Sequence, residues 1–338
     1  MKNLNVVCYG VRPAERSLFQ QLNVHGFNLK LVEDLLNETN YAEAKGMDAI
    51  IVRGNCLANR MNIERFAQFG IKFLLTRTVG TSHIDLMAAH DHGMQVAYVP
   101  FYSPNAIAEL SVTLAMMLLR RTTHTTNKTA SYNFTIDRFM FSKEVRNCTV
   151  GIVGVGNIGL TEAKLFKGLG ATVIGNDLYP SEEAKAFIEF KSLDDLLAES
   201  DIVSIHIPYI PGKNERFINK DFIEKMKDDA ILINTARGEL QDNQAILDAL
   251  TSKKLSGFGT DVLPNEALIF NKNFDEDPLL IDATAKALID MYPRVIITPH
   301  IGSNTDEAVS NMIETSFDNL YKMFNQLDCA NTLPTQAG

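Results

Sequence analysis

Thr149-Val150-Gly151-Ile152-Val153-Gly154-Val155-Gly156-Asn157-Ile158-Gly159 is an apolar run, long enough for one buried strand, that breaks into Gly-x-Gly-x-x-Gly. A helical pattern follows as far as Leu169. A second apolar run, Ala171-Thr172-Val173-Ile174, then leads to Asp177. Strand, glycine turn, helix and acid in this order make a dinucleotide fingerprint. Gly154 permits the tight turn, Gly156 lets the backbone approach a pyrophosphate, and Gly159 lets helix and strand pack closely. The helix start adds free N–H groups and a positive dipole end. A carboxylate at Asp177 accepts from both ribose hydroxyls and repels a 2′-phosphate, so the pattern favours NAD over NADP.

A chain of 338 residues implies two domains. Hydrophobic residues are 46% and charged residues 22%, an ordinary globular composition. A net charge of −9 with no basic stripe argues against nucleic acid. A few arginines still suffice to bind a small acidic substrate. No apolar run reaches the roughly 18 residues of a membrane span, and the N-terminus lacks a signal-peptide core. Cys8, Cys56, Cys148 and Cys329 are far apart, which fits reduced thiols and a cytoplasmic location. No His/Cys cluster has metal-ligand spacing, so no metal is expected.

Strands are expected at 5–9, 28–32, 49–52, 72–75 and 95–99, with helices near 14–24, 38–45, 63–69 and 84–90. Such alternation implies an open parallel sheet covered on both faces. Pro100-Phe101-Tyr102-Ser103-Pro104 breaks the rhythm, with Ser103 as a helix cap and Pro104 as first helical residue. The helix expected over 106–119 is apolar on nearly every face and must be buried. Its cover is either the same subunit or a second copy of the chain. A second series begins at Thr149, with strands expected at 149–153, 172–174, 202–205, 230–233, 257–259 and 295–298. A long helix follows over 305–325, capped by Asn304 or Thr305, and residues 332–338 form a loose polar tail. The fold class is therefore α/β, two Rossmann-like domains with parallel sheets and a cleft between them. Residues 1–101 plus 300–338 form a discontinuous, flavodoxin-like substrate domain. Residues 102–299 form the NAD-binding domain.

Three polar residues each follow a strand of the second series. Arg237 lies in Asn234-Thr235-Ala236-Arg237-Gly238, Glu266 ends Thr260-Asp261-Val262-Leu263-Pro264-Asn265-Glu266, and His300 lies in Thr298-Pro299-His300. Strand ends are where open parallel sheets bind ligands. Reducing a 2-oxo acid needs a cation for the carboxylate and ketone, and an acid for the new alkoxide. Arg237 supplies a permanent charge. His300 titrates near neutrality, and a carboxylate at Glu266 would orient the imidazole and raise its pKa. Each residue alone has a plainer reading, as a helix-entry ion pair, a surface acid and a turn histidine; the combination is what is specific.

With these segments the chain resembles the D-isomer-specific 2-hydroxyacid dehydrogenases, the group of D-lactate, D-2-hydroxyisocaproate and D-2-hydroxyglutarate dehydrogenases. Tyr102-Ser103-Pro104-Asn105-Ala106-Ile107-Ala108-Glu109 and Ser204-Ile205-His206-Ile207-Pro208 also match, in the right order. The resemblance implies that Arg237 binds substrate, His300 is the acid/base and Glu266 its partner. It implies a carboxylate-holding loop at Val79 and Gly80, with Tyr102 also reaching substrate. Cofactor contacts would come from Gly154, Gly156, Asn157, Ile158, Gly159, Asp177, His206, Ile207, Pro208, Asn214, Thr235, Ala236 and Asp261, the last holding the nicotinamide carboxamide. Cover of the 106–119 helix by a second copy would make a homodimer through the NAD-binding domain.

D-lactate dehydrogenases of the family tend to carry an aromatic residue three positions after the histidine; here it is Ser303, which opens the pocket. Arg53, in Arg53-Gly54-Asn55-Cys56, follows a strand of the first domain and resembles the D-2-hydroxyglutarate dehydrogenases. It either pairs with a distal substrate carboxylate, favouring 2-oxoglutarate, or with a nearby surface acid. Pyruvate and branched 2-oxo acids remain open as substrates, as does a D-lactate dehydrogenase proper. An NAD-sensing corepressor of the same fold is a competing class, but the chain shows no basic or disordered extension for partners. An L-specific lactate or malate dehydrogenase would place the glycine motif near its N-terminus.

Overall fold

The computed structural model describes residues 3–278 and 281–334. It divides into two compact units, one running to Ser103 and resuming at Asn304, the other spanning Pro104–Ser303. The expected crossing after Pro299 moves to Ser303. The physical reason is Asp261, whose carboxylate accepts the N–H groups of Ile301 and Gly302, both at 2.8 Å, and keeps them in the second unit.

The first unit is a five-stranded parallel sheet of β1 (Asn5–Tyr9), β2 (Asn28–Val32), β3 (Ala49–Val52), β4 (Phe73–Thr76) and β5 (Gln95–Ala97) in the order β2-β1-β3-β4-β5. This is the flavodoxin-like doubly wound order. Its helices are α1 (Arg16–Gln21), α2 (Arg60–Gln68) and α3 (Leu86–Asp91). The helix expected over 14–24 is only α1, preceded by a 3-10 turn at Pro13–Glu15. The one expected over 38–45 is a short 3-10 turn, Tyr41–Ala44. There Asn37 Oδ1 accepts from the backbone N–H of Thr39 and Asn40, and these local bonds compete with a helix. By contrast α2 starts early, because Asn59 caps it by accepting from Asn62 N.

The second unit holds β6 (Thr149–Val153), β7 (Thr172–Asn176), β8 (Glu189–Phe190), β9 (Ile202–Ile205), β10 (Ala230–Asn234), β11 (Leu255–Thr260) and β12 (Val295–Ile297), all parallel. Their order is β12-β11-β10-β9-β6-β7-β8, so six expected strands become seven. The addition, β8, has two residues and no apolar run of its own. Its helices are α4 (Pro104–Leu119), α5 (Thr122–Ala130), α6 (Asn157–Gly168), α7 (Glu182–Phe187), α8 (Leu193–Glu199), α9 (Lys220–Lys225), α10 (Asn243–Thr251) and α11 (Ala283–Ile289).

Most of α4 is covered within this unit. Leu114 and Leu118 pack into the core against Val150, Ile152 and Ile233. Gly257 and Gly259 make that approach possible, because a Cβ at either would press on Leu118 or Leu114 at 3.0–3.1 Å. Burying each leucine contributes about 2 kcal/mol. Glu109 and Thr113 remain exposed, and Val112, Met116 and Met117 are only half-buried.

The chain then returns to the first unit as α12 (Asp306–Phe324), capped by Thr305. Asn311 and Asn319 donate to the carbonyls of Tyr102 (2.6 Å) and Tyr98 (2.9 Å), and Phe317 meets Phe19 and Phe27 edge-on. The tail expected over 332–338 lies, from residue 335, outside the described residues. No helix among the described residues is long and apolar enough to cross a membrane.

Candidate active site

Strands β10, β11 and β12 are neighbours, so the loops leaving their C-terminal ends lie side by side. These loops carry Arg237, Asp261 with Glu266, and His300. Asn234, at the end of β10, shapes the first. Its Oδ1 accepts from Ala236 N (3.0 Å), and its Nδ2 donates to the Arg237 carbonyl (3.0 Å) and to Gln241 Oε1 (2.7 Å). Gly238 is pressed against the second loop; a Cβ there would overlap the Leu263 carbonyl and Pro264 N. The Arg237 turn therefore fits only a residue without a side chain at that point.

The third loop is latched to the second through Asp261. Its carboxylate accepts from Thr298 Oγ1 (2.6 Å), Ile301 N and Gly302 N, and its carbonyl accepts from His300 N (3.0 Å). This holds His300 in the left-handed region at φ +54°, a costly conformation for a side-chain-bearing residue. Burial raises the pKa of Asp261, partly offset by those three hydrogen bonds and by the His300 charge.

His300 Nδ1 donates to Glu266 Oε1 at 2.6 Å. Burial lowers the imidazole's pKa, but the hydrogen bond and charge of Glu266, helped by Asp261, outweigh it. The charge of Arg237 acts in the opposite sense, so the guanidinium lies within electrostatic reach of the ring. The net shift is upward from 6.5. Guanidinium, carboxylate and imidazole thus share one edge of one sheet. Such a group can hold an anion and deliver a proton beside it.

The nucleotide side lies farther along the same edge. The strand order reverses direction between β6 and β9, the switch point where open α/β sheets bind ligands. Gly154 turns the chain at φ +92°. A Cβ at Gly159 would overlap the Gly154 carbonyl, whereas one at Gly156 would meet nothing within 4 Å. The opening at Gly156 and the helix start, with Asn157 exposed and Ile158 half-buried, fit a pyrophosphate. Asp177, just beyond β7, accepts from Val155 N and Tyr179 N, both at 2.7 Å, which aims it over the glycine turn.

His206 follows β9, and its N–H donates to Val153 O (2.7 Å). A Cβ at Gly154 would meet Ile207 Cγ2 and the His206 carbonyl. Asn214 closes the next loop, donating to Pro208 O (2.8 Å) and accepting from Ile210 N (2.7 Å). Thr235 is buried with its hydroxyl 2.7 Å from that of Ser111, and Ala236 follows it at the edge.

Arg53, Val79, Gly80 and Tyr102 belong to the first unit. Arg53 follows β3 and backs onto Gly10. Burial, and then the charges of Arg12 and Arg77, lower its pKa. Val79 and Gly80 follow β4 in a loop braced by Thr78 Oγ1, which donates to Gly80 O (2.7 Å). Thr76 links Thr78 (2.7 Å) to His83 (3.0 Å), whose imidazole burial pushes down to about 4. Tyr102 is anchored through its carbonyl by Asn311.

Sequence reasoning missed two features. Arg77 is 1% exposed, pairs with Glu15 at 3.3 Å and donates to Gly10 O at 3.1 Å, adding a second cation beside Arg53. Its position directly after β4 was the available signal. Glu162 is buried on α6 against His206. Its place in the inward register of an otherwise apolar helix face could have marked it.

Residues 112–302 match the family model described as the D-isomer specific 2-hydroxyacid dehydrogenase, NAD binding domain. An aromatic 2-oxoacid reductase of Clostridium sporogenes is 38% identical over 330 residues, spanning 97% of this chain and 98% of its own. A D-2-hydroxyacid dehydrogenase (NAD(+)) of Clostridioides difficile is 36% identical over 317 residues, 93% of this chain and 95% of its own. The crystal structure of a D-lactate dehydrogenase from Treponema pallidum superposes with a TM-score of 0.88 at 32% identity, covering 98% of this chain and all of that one, 100%.

Proposed function

The chain belongs to the D-isomer-specific 2-hydroxyacid dehydrogenases, and from that premise we propose that Arg237, Glu266 and His300 are its catalytic residues and that a dicarboxylate, 2-oxoglutarate, is its preferred 2-oxo acid. As a family member it is an NAD-dependent oxidoreductase acting on 2-hydroxy acids. NADH supplies the hydride when bound. Arg237 binds the substrate carboxylate and polarises the ketone. His300 gives its Nε2 proton to the alkoxide oxygen, and Glu266 holds Nδ1 so that Nε2 faces the substrate. In the oxidative direction the same imidazole takes the proton back. The observation that carries this reading is the 2.6 Å bond between His300 and Glu266 on the sheet edge that also bears Arg237. Cofactor contacts are assigned to Gly154, Gly156, Asn157, Ile158, Gly159, Asp177, His206, Ile207, Pro208, Asn214, Thr235, Ala236 and Asp261. Val79, Gly80 and Tyr102 are assigned to the substrate.

The dicarboxylate preference rests on Arg53 at a strand end, where the charges of Arg12 and Arg77 act on it and Glu15, paired with both, acts oppositely. An aromatic 2-oxo acid is the second reading, favoured by Ser303 in place of a ring and by the name of the Clostridium sporogenes relative. The two readings separate in kcat/KM for 2-oxoglutarate, phenylpyruvate and pyruvate, with chiral analysis of the product. Arg53→Ala should cost 2-oxoglutarate about 2 kcal/mol, or some thirtyfold, relative to pyruvate. An equal loss for all three acids rejects the distal-carboxylate role.

The segment after α5 exposes Tyr132 (89%), Phe134 (74%), Ile136 (89%) and Phe141 (90%). Four large apolar side chains exposed in one short segment suit an interface, and they support a homodimer through the NAD-binding unit. The four free cysteines suit a reducing, cytoplasmic location.

A further inference from the structure

Glu162 is 0% exposed and lies on the inward face of α6 with Gly159, Ala163 and Phe166. Packing gives no reason for a carboxylate there, and a buried charge must be compensated. Its Oε2 accepts a short hydrogen bond from His206 Nε2, which also lies 3.1 Å from Ser204 Oγ. Its Oε1 is buried without a hydrogen-bond partner. Among the described residues His206 is its one ion-pair partner. The imidazole is equally enclosed, with its side chain 2% exposed. The His206 backbone meanwhile runs directly beneath the glycine turn. A Cβ at Gly154 would stand 2.7 Å from the His206 carbonyl carbon and 2.8 Å from its oxygen. One carboxylate thus reaches from the phosphate-binding helix to the neighbouring cofactor loop, under the place where two phosphates bind.

We propose that Glu162 is a positioning residue of the cofactor site. It holds His206 from beneath the glycine turn, and the imidazole N–H takes up the carboxylate's negative charge under the pyrophosphate. This rests on the assignment of His206 to the cofactor site. The physical reason is charge balance. A bare carboxylate at this depth would repel the phosphates through a medium that screens poorly, whereas one that accepts an imidazole N–H repels them less. The unpartnered Oε1 leaves the pair poised, because no other donor replaces His206 when it is removed.

The test is NADH titration by fluorescence on the full chain, with steady-state kinetics and melting temperatures alongside. The proteins compared are wild type, Glu162→Gln, His206→Ala, the Glu162→Gln/His206→Ala double variant, and His206→Gln, which keeps a donor for the carboxylate. The pairing predicts that His206→Ala weakens NADH by about tenfold or more, because it strips the carboxylate of its partner. The double variant should regain most of that loss, to within about threefold of wild type. In Glu162→Gln the KM for NADH should rise by a larger factor than kcat falls. If His206→Ala is too unstable to titrate, His206→Gln carries the comparison and should bind NADH more weakly than its own double with Glu162→Gln. A double variant that binds no better than its His206 parent overturns the charge pairing. So do melting temperatures that fall while NADH affinity and KM stay constant. Wild-type NADH affinity in His206→Ala would instead refute the placement of His206 in the cofactor site.

Discussion

Replacing Glu266 with Gln keeps the side chain's size and an acceptor oxygen but removes its charge. In the wild type, Glu266 Oε1 sits 2.6 Å from His300 Nδ1. Two unit charges centred about 4 Å apart interact by ~4 kcal/mol at an effective dielectric of about 20. The imidazole side chain is 38% exposed, so solvent screening reduces that to about 1–2 kcal/mol. An energy of ~1.4 kcal/mol is a factor of ten in the protonated fraction once pH exceeds the imidazole's value. In the proposed mechanism, ketone reduction needs the protonated ring. In Glu266→Gln, kcat/KM for reduction should therefore fall about tenfold near alkaline pH and much less at acid pH. The alkaline limb of the profile should move toward lower pH, because the contribution that raises His300 has been removed. Stability should follow the same sign. A histidine raised in the folded state contributes stability that is present below its unfolded value and lost as pH rises through the folded one. The difference in melting temperature between wild type and variant should accordingly be largest at acid pH and shrink on titration upward. Superimposable pH–rate profiles would refute the role given to Glu266.

Gly238→Ala tests the packing between the Arg237 and Glu266 loops, since the new Cβ would overlap the Leu263 carbonyl. It should cost about 3 kcal/mol of stability and lower kcat/KM by displacing Arg237, and an unchanged melting temperature with full activity would contradict that geometry. Sedimentation equilibrium should give twice the mass of the chain, and Phe134→Asp should yield monomer; a monomeric wild type removes the interface reading of the exposed segment.

Where periodicity and special residues act locally, the architecture was legible. The runs at Asn5–Tyr9, Thr149–Val153 and Ile202–Ile205 are mostly apolar or β-branched, Asn28–Val32 alternates apolar with polar residues, and each is a strand. The short β8 was hidden because two residues carry no period. The segment at 38–45 misled because its helix-forming residues compete with Asn37 and Asn40, which fold the backbone onto their own side chains. In α4 the composition suggested enclosure on all sides, yet coverage depends on two distant glycines, Gly257 and Gly259, that admit one face. The proposed site residues were legible only as residue types placed after strands. Their mutual geometry was not, since the Asp261 latch and the left-handed His300 arise only when β11 and β12 lie side by side. The burial of Arg77 and Glu162 was not legible, because their partners, Glu15 with Gly10 O and His206, are distant in the chain and come together only in the fold.

Single-turnover reduction of a 2-oxo acid by pre-bound NADH in His300→Gln tests the assigned chemistry most directly. The rate should drop by at least about a thousandfold while NADH binds within about threefold of wild type. A variant that still transfers hydride at a rate near wild type would show that the proton comes from another group.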